Sequence, residues 1–122
     1  MITGRVKFKI LSAEYRPGHK VQSFPLVVTF EVKDTACSTG RVTLVIEGSR
    51  LSRLTALCRA IGEPELYSGT PWEKQNSMWR YFPTHKLINK TGECEVIGGN
   101  VIANFYDTQA RGRKLEFDAL RI

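Results

Sequence analysis

Histidine, pairable cysteine, clustered acid and long apolar runs are all scarce in this chain, and each scarcity removes a class of function. The only histidines are His19 and His85. Both fall in expected loops, and neither sits in a local signature with Ser or Cys. A nucleophile relay needs a base within hydrogen-bond reach of the attacking atom, so none is indicated. No G-x-S-x-G or P-loop pattern occurs, and Gly98-Gly99 lacks the Lys-Ser/Thr partner that phosphate cradling needs. Cys37, Cys58 and Cys94 are odd in number and far apart, which fits neither a disulfide framework nor a zinc knuckle. Reduced thiols of a cytosolic protein are the expectation. Zinc held by His85 and Cys94 has no supporting spacing. A metal nuclease needs grouped carboxylates. Glu93 and Glu95 would share one strand face, but neutralisation of a neighbouring Lys or Arg accounts for them equally. No run approaches the ~20 apolar residues of a membrane span, and Met1-Ile2-Thr3-Gly4-Arg5 has no apolar signal core. No catalytic residue, metal or cofactor is therefore expected.

What is present describes one domain over residues 1–122. The 42% hydrophobic and 25% charged content is ordinary for a globular chain, so a true core is expected rather than disorder. There is no internal repeat, low-complexity tract or linker. Eighteen Lys and Arg stand against twelve Asp and Glu, a formal charge of +6. A basic small domain attracts polyanions, nucleic acid above all, although the same charge also serves solubility.

The apolar pattern has period two over most of the length. In R-V-K-F-K-I-L, residues 5–11, Val6, Phe8 and Ile10 alternate with Arg5, Lys7 and Lys9, as in a half-buried strand. Its continuation to Tyr15 breaks phase once, as a bulge would. Arg16-Pro17-Gly18-His19-Lys20 supplies a turn. Leu26, Val28, Phe30 and Val32 mark a second strand, with Pro25 near its start. Val42, Leu44 and Ile46 mark a third. The period then becomes helical. Leu51, Leu54, Leu57, Cys58 and Ile61 share one face, with Arg50, Arg53 and Arg59 towards the other. Ser49 is the expected N-cap, Gly62 the C′ residue, and Pro64 blocks continuation. Residues 63–91 are irregular, with a short strand expected near Trp79 to Phe82. Glu93 to Ile97 and Val101 to Tyr106 flank Gly98-Gly99-Asn100 as a hairpin would. Residues 107–112 read as a loop and 114–122 as a terminal strand, with Leu115 and Phe117 inward.

Three strands, one helix, then two or three strands is the element order of the OB-fold. The expected fold is mainly β: a five- or six-stranded Greek-key barrel with one helix, about residues 50–61, between strands 3 and 4. An open α+β sheet with one packed helix has the same order. Binding a single strand needs cations along the phosphates and flat side chains on the bases. The candidates are Arg5, Lys7 and Lys9 on the first strand, and Tyr15, Arg16 and Lys20 at the first loop. Arg111, Arg113 and Lys114 follow in a second basic loop, taken as the link between the fourth and fifth strands. Trp79, Arg80 and Tyr81 interleave rings with charge; Trp72 serves equally well as a loop anchor. The outward residues of strands two and three (Val27, Thr29, Glu31, Lys33, Arg41, Thr43, Val45 and Glu47) include two acids and no ring. Binding must then lean on the loops, or the inward and outward faces are exchanged.

The order V-T-F-E-V-K-D, a loop, G-R-V-T-L-V-I and the helix L-S-R-L-T-A-L-C-R-A-I-G resembles small phage-encoded single-stranded-DNA-binding proteins with an OB-fold. N-V-I-A-N-F near the end is similar too. The resemblance covers roughly residues 5–62 and carries no catalytic signature. It implies coating of single-stranded DNA in replication or recombination, in a host cytoplasm. Expected partners are single-stranded DNA or RNA, a second copy of the chain, and phage or host recombination and replication proteins, with no membrane. Bacterial proteins of this function end in a disordered acidic tail, whereas Asp118-Ala119-Leu120-Arg121-Ile122 does not resemble one. Recruitment through a tail and tetrameric assembly are therefore not implied. The rival readings are a protein-interaction module anchored by residues 72–82, such as a phage inhibitor or adaptor of a host protein, and a Mg-dependent nuclease using Glu93, Glu95 and a further acid.

Overall fold

Alternation at the start of the chain becomes β1 (Gly4–Tyr15), where Val6, Phe8 and Ile10 are buried and Arg5, Lys7 and Lys9 are exposed. The computed structural model describes residues 2–15, 26–47, 52–66 and 84–107, together with the backbone of residues 113–116. The expected break in phase lies at Leu11. Against β2 (Leu26–Lys33), Ile10 pairs with Phe30 and Ser12 with Thr29, so Leu11 is skipped. That bulge re-aims the strand, and Ala13 is the next buried residue. In β2 and in β3 (Thr39–Ile46), all seven residues expected to face inward are buried. The inward and outward faces are therefore not exchanged.

The helix α1 spans Ser52–Ala60, shorter than the expected 50–61, and the N-cap candidate Ser49 lies outside the described residues. Its C-terminus ends as the sequence predicts. Gly62 takes φ +76°. The Glu63 amide donates to the Cys58 carbonyl at 2.9 Å and the Gly62 amide to Arg59 at 3.2 Å. This pair of bonds satisfies orphan carbonyls of the last turn and favours glycine at the left-handed position. Within the irregular stretch, two short 3-10 turns cover Pro64–Leu66 and Thr84–Leu87. The second buries Leu87 completely. The expected strand near Trp79 lies outside the described residues.

β4 (Thr91–Ile97) and β5 (Val101–Asp107) join through Gly98-Gly99-Asn100, where both glycines have positive φ. A second bulge skips Ala103, so Ile102 and Phe105, three apart, both turn inward. β6 (Arg113–Glu116) pairs with β5, Leu115 opposite Phe105. It is the beginning of the expected terminal strand; Phe117 lies outside the described residues.

The strands form one antiparallel sheet in the order β3-β2-β1-β4-β5-β6, curled into a half-barrel with one helix. α1 packs on β5 and β4, and β3 runs close to β5. Three rings fill the centre of the curl. Phe8 meets Phe30 edge-on at 5.1 Å and Phe105 at 5.6 Å, and Phe30 lies 5.9 Å from Phe105. Gly92, opposite Phe8 in the register, is the position that admits this packing. A Cβ there would stand 2.7 Å from both the Phe8 ring and the Ala60 carbonyl.

Candidate nucleic-acid interface

With the apolar side chains turned inward, the register decides which polar ones become neighbours outside. Lys7 lies directly opposite Lys33. Lys33 has Lys9 diagonally across on β1, and Arg41 diagonally across on β3. All four are exposed. Among the described residues, none of them forms an ion pair. Glu31 lies opposite both Lys9 and Arg41 without reaching either within salt-bridge distance. Like charges placed directly opposite on a sheet disfavour each other, so the Lys7–Lys33 pairing gains nothing from the register, while Glu93 of β4 lies on the other side of Lys7.

Charges on the other half of the outer face are engaged. The Arg5 guanidinium donates through Nε to Oε1 of Glu93 at 3.1 Å and through Nη2 to Oε2 at 3.2 Å. It also lies over the Tyr106 ring, 4.1 Å from the centroid. The hydrogen bonds it donates to Glu93 hold its pKa above the ordinary arginine value, more than offsetting slight desolvation. Oε1 of Glu95 accepts from Nδ2 of Asn104 at 2.7 Å. Both acids proposed for a metal nuclease thus have other partners, and the described residues contain no cluster of three or more metal-ligating side chains. His85 is exposed while Cys94 faces the core, so these two do not converge.

The expected loop from residue 107 to 114 is corrected at both ends. Asp107 is the last residue of β5. Its carboxylate is buried and bridges to Arg59 of α1 at 3.0 Å, which draws the strand on past Tyr106. Arg113 and Lys114 belong to β6, opposite Asp107 and Tyr106, so only residues 108–112 connect the two strands. That connection joins β5 to β6. The link between the fourth and fifth strands is Gly98-Gly99-Asn100, which carries no cation.

Arg16, Lys20, Trp79, Arg80, Tyr81 and Arg111 lie outside the described residues. The strand ends that flank residues 16–25 and 108–112 are described. β1 runs antiparallel to β4 and β4 antiparallel to β5, so both connections leave from the same end of the sheet. Tyr15, at the base of the first, is half-buried and packs against the core. Three outer-face residues absent from the expected set are Lys33, Arg41 and Tyr106. The alternation places each of them outward, but only the register shows what each one adjoins.

A cleft of about 480 Å³ lies between β3 and β5, lined by Thr43, Val45, Arg53 and Val101 among others. Arg53 donates to the Val45 carbonyl across it at 3.4 Å. At the hairpin tip beside it, Ile97 and Val101 are cross-strand partners and both are more than half exposed. Burial pushes the Cys58 and Cys94 thiols each up to about 12, with nearby glutamates adding to the shift, whereas Cys37 is exposed. No described helix is long and apolar enough to cross a membrane. Comparison with family models, curated proteins and solved structures finds no match to this chain.

Proposed function

We propose that this protein binds single-stranded DNA without catalysis, in the manner of phage proteins that coat single strands during replication or recombination. The observation that carries the reading is the outer patch of Lys7, Lys9, Lys33 and Arg41. It is a group of exposed cations in one register with no ion pair among the described residues. A flexible polyanion lying across β1, β2 and β3 would relieve their mutual repulsion, and each phosphate neutralised releases counterions. The topology supports the same reading. The order β3-β2-β1-β4-β5 with β3 beside β5, and a helix between the third and fourth strands, is consistent with an OB-like fold that carries a sixth strand at the edge of β5. Such barrels bind oligonucleotides across the second and third strands.

Fluorescence anisotropy with a labelled oligothymidylate and a duplex of equal length tests it. Binding at low ionic strength that prefers the single strand and weakens steeply with salt is the expected result. A protein-interaction module is the second reading, favoured by the exposed Ile97–Val101 pair beside the β3–β5 cleft. Absence of salt-dependent binding to either probe would leave that reading in first place.

A further inference from the structure

Arg5 is unlike the four cations beside it, because its charge already has a partner and its plane is fixed. Glu93 grips the guanidinium edge with both carboxylate oxygens, at 3.1 and 3.2 Å. Tyr106 lies beneath it, 4.1 Å from ring centroid to guanidinium carbon. The side chain nevertheless remains 47% exposed. A guanidinium is flat and weakly hydrated, and it stacks on aromatic planes on both faces. Here one face is occupied by the tyrosine and the edge by the carboxylate. The group is then less suited to a phosphate, because Glu93 already offsets its charge and takes the Nε and Nη2 edge that a bidentate contact would use. It is well suited to a second flat partner.

We propose that Arg5, seated on Tyr106 and clamped by Glu93, is the stacking platform for one unpaired nucleobase, which completes a three-layer stack. The proposal rests on the single-strand reading above and adds to it where a base sits. The neighbouring geometry fits. Lys7 is two residues along the same face of β1, about 7 Å away at the rise of a strand, and Lys33 lies beyond it on β2. The sugar–phosphate chain can follow the lysines while one base turns onto the arginine. The platform also supplies, from β1 and β5, the flat surface that the outward residues of β2 and β3 lack.

The test compares an oligothymidylate with an abasic deoxyribose-phosphate strand of the same length, using the full chain. Arg5→Lys keeps the charge and removes the plane; Tyr106→Leu removes the lower layer; Tyr106→Phe keeps it. The first two are expected to reduce the preference for the thymidylate over the abasic strand by about tenfold. The affinity for the abasic strand and the salt slope should stay as in the wild type, and Tyr106→Phe should retain the full preference. An unchanged preference in both Arg5→Lys and Tyr106→Leu overturns the platform. So does an equal loss for both probes, which would make Arg5 a phosphate contact. Either result leaves wild-type binding, and with it the single-strand reading, standing. Wild-type protein that binds neither probe at low salt removes that reading itself and the platform with it.

Discussion

The two halves of the outer face use the same residue types to opposite ends. On β4 and β5 the described acids are engaged: Glu93 with Arg5 at the start of β1, Glu95 with Asn104, and Asp107 with Arg59. On β1, β2 and β3, Lys7, Lys9, Lys33 and Arg41 gather around one register position and make no ion pair among the described residues. Beneath both halves the inner face is continuous, with Phe8, Phe30 and Phe105 in mutual contact. The contrast therefore owes nothing to the core. One half has its charges held in ion pairs or hydrogen bonds within the chain, and the other has four exposed cations outside any described ion pair. A sheet gains nothing from opposing lysines, and on the reading proposed above this is the face on which a polyanion would lie.

The largest effect expected is on what the halves share. Phe30→Ala removes the ring that touches Phe8 on one side and Phe105 on the other, and should cost about 4 kcal/mol in denaturant unfolding. A single transition, shifted as a whole, shows that both halves rest on one core. Two separated transitions would break the comparison, because each half would then have a stability of its own.

A smaller and more pointed effect is expected at the centre of the cationic patch. Lys33→Glu sets an acid opposite Lys7 and diagonal to Lys9 and Arg41, with uncharged Thr39 on its other side. Stability should rise by about 0.5 kcal/mol as the like-charge contact is removed. Affinity for a single strand should fall at the same time. Gain of stability with loss of binding is the signature of a site. A loss of stability would mean that the lysines are structural, and the distinction between the halves would fail.

Much of the fold was legible because burial and alternation are local. Val6, Phe8 and Ile10, the bulge after Ile10 and the glycine that ends α1 all follow from a few adjacent residues. Neighbours across strands are not local. Arg5 and Glu93 are 88 positions apart, and nothing near either residue announces the other. Alternation shows that Lys33 faces outward, but its clash with Lys7 exists only once a register is set. Asp107 misled for a related reason. An Asp beside a polar run reads as a loop, whereas its burial is made tolerable by Arg59 from an element nearly fifty positions earlier. The connection after Asp107 leads to a sixth short strand rather than a fifth, and the alternation near residues 101–107 does not reveal that count. Tyr106 has no local signature, since an isolated Tyr on a strand carries no signal apart from the arginine that lies on it.

The most direct measurement is the salt dependence of oligothymidylate binding, compared between the wild type and a variant with Lys7, Lys9, Lys33 and Arg41 all changed to Gln. On a single strand, each phosphate contact contributes about 0.7 to the slope of log affinity against log salt. The account predicts a slope shallower by about 3 in the variant, with unfolding stability equal to or above that of the wild type. An unchanged slope and affinity in a well-folded variant would contradict it.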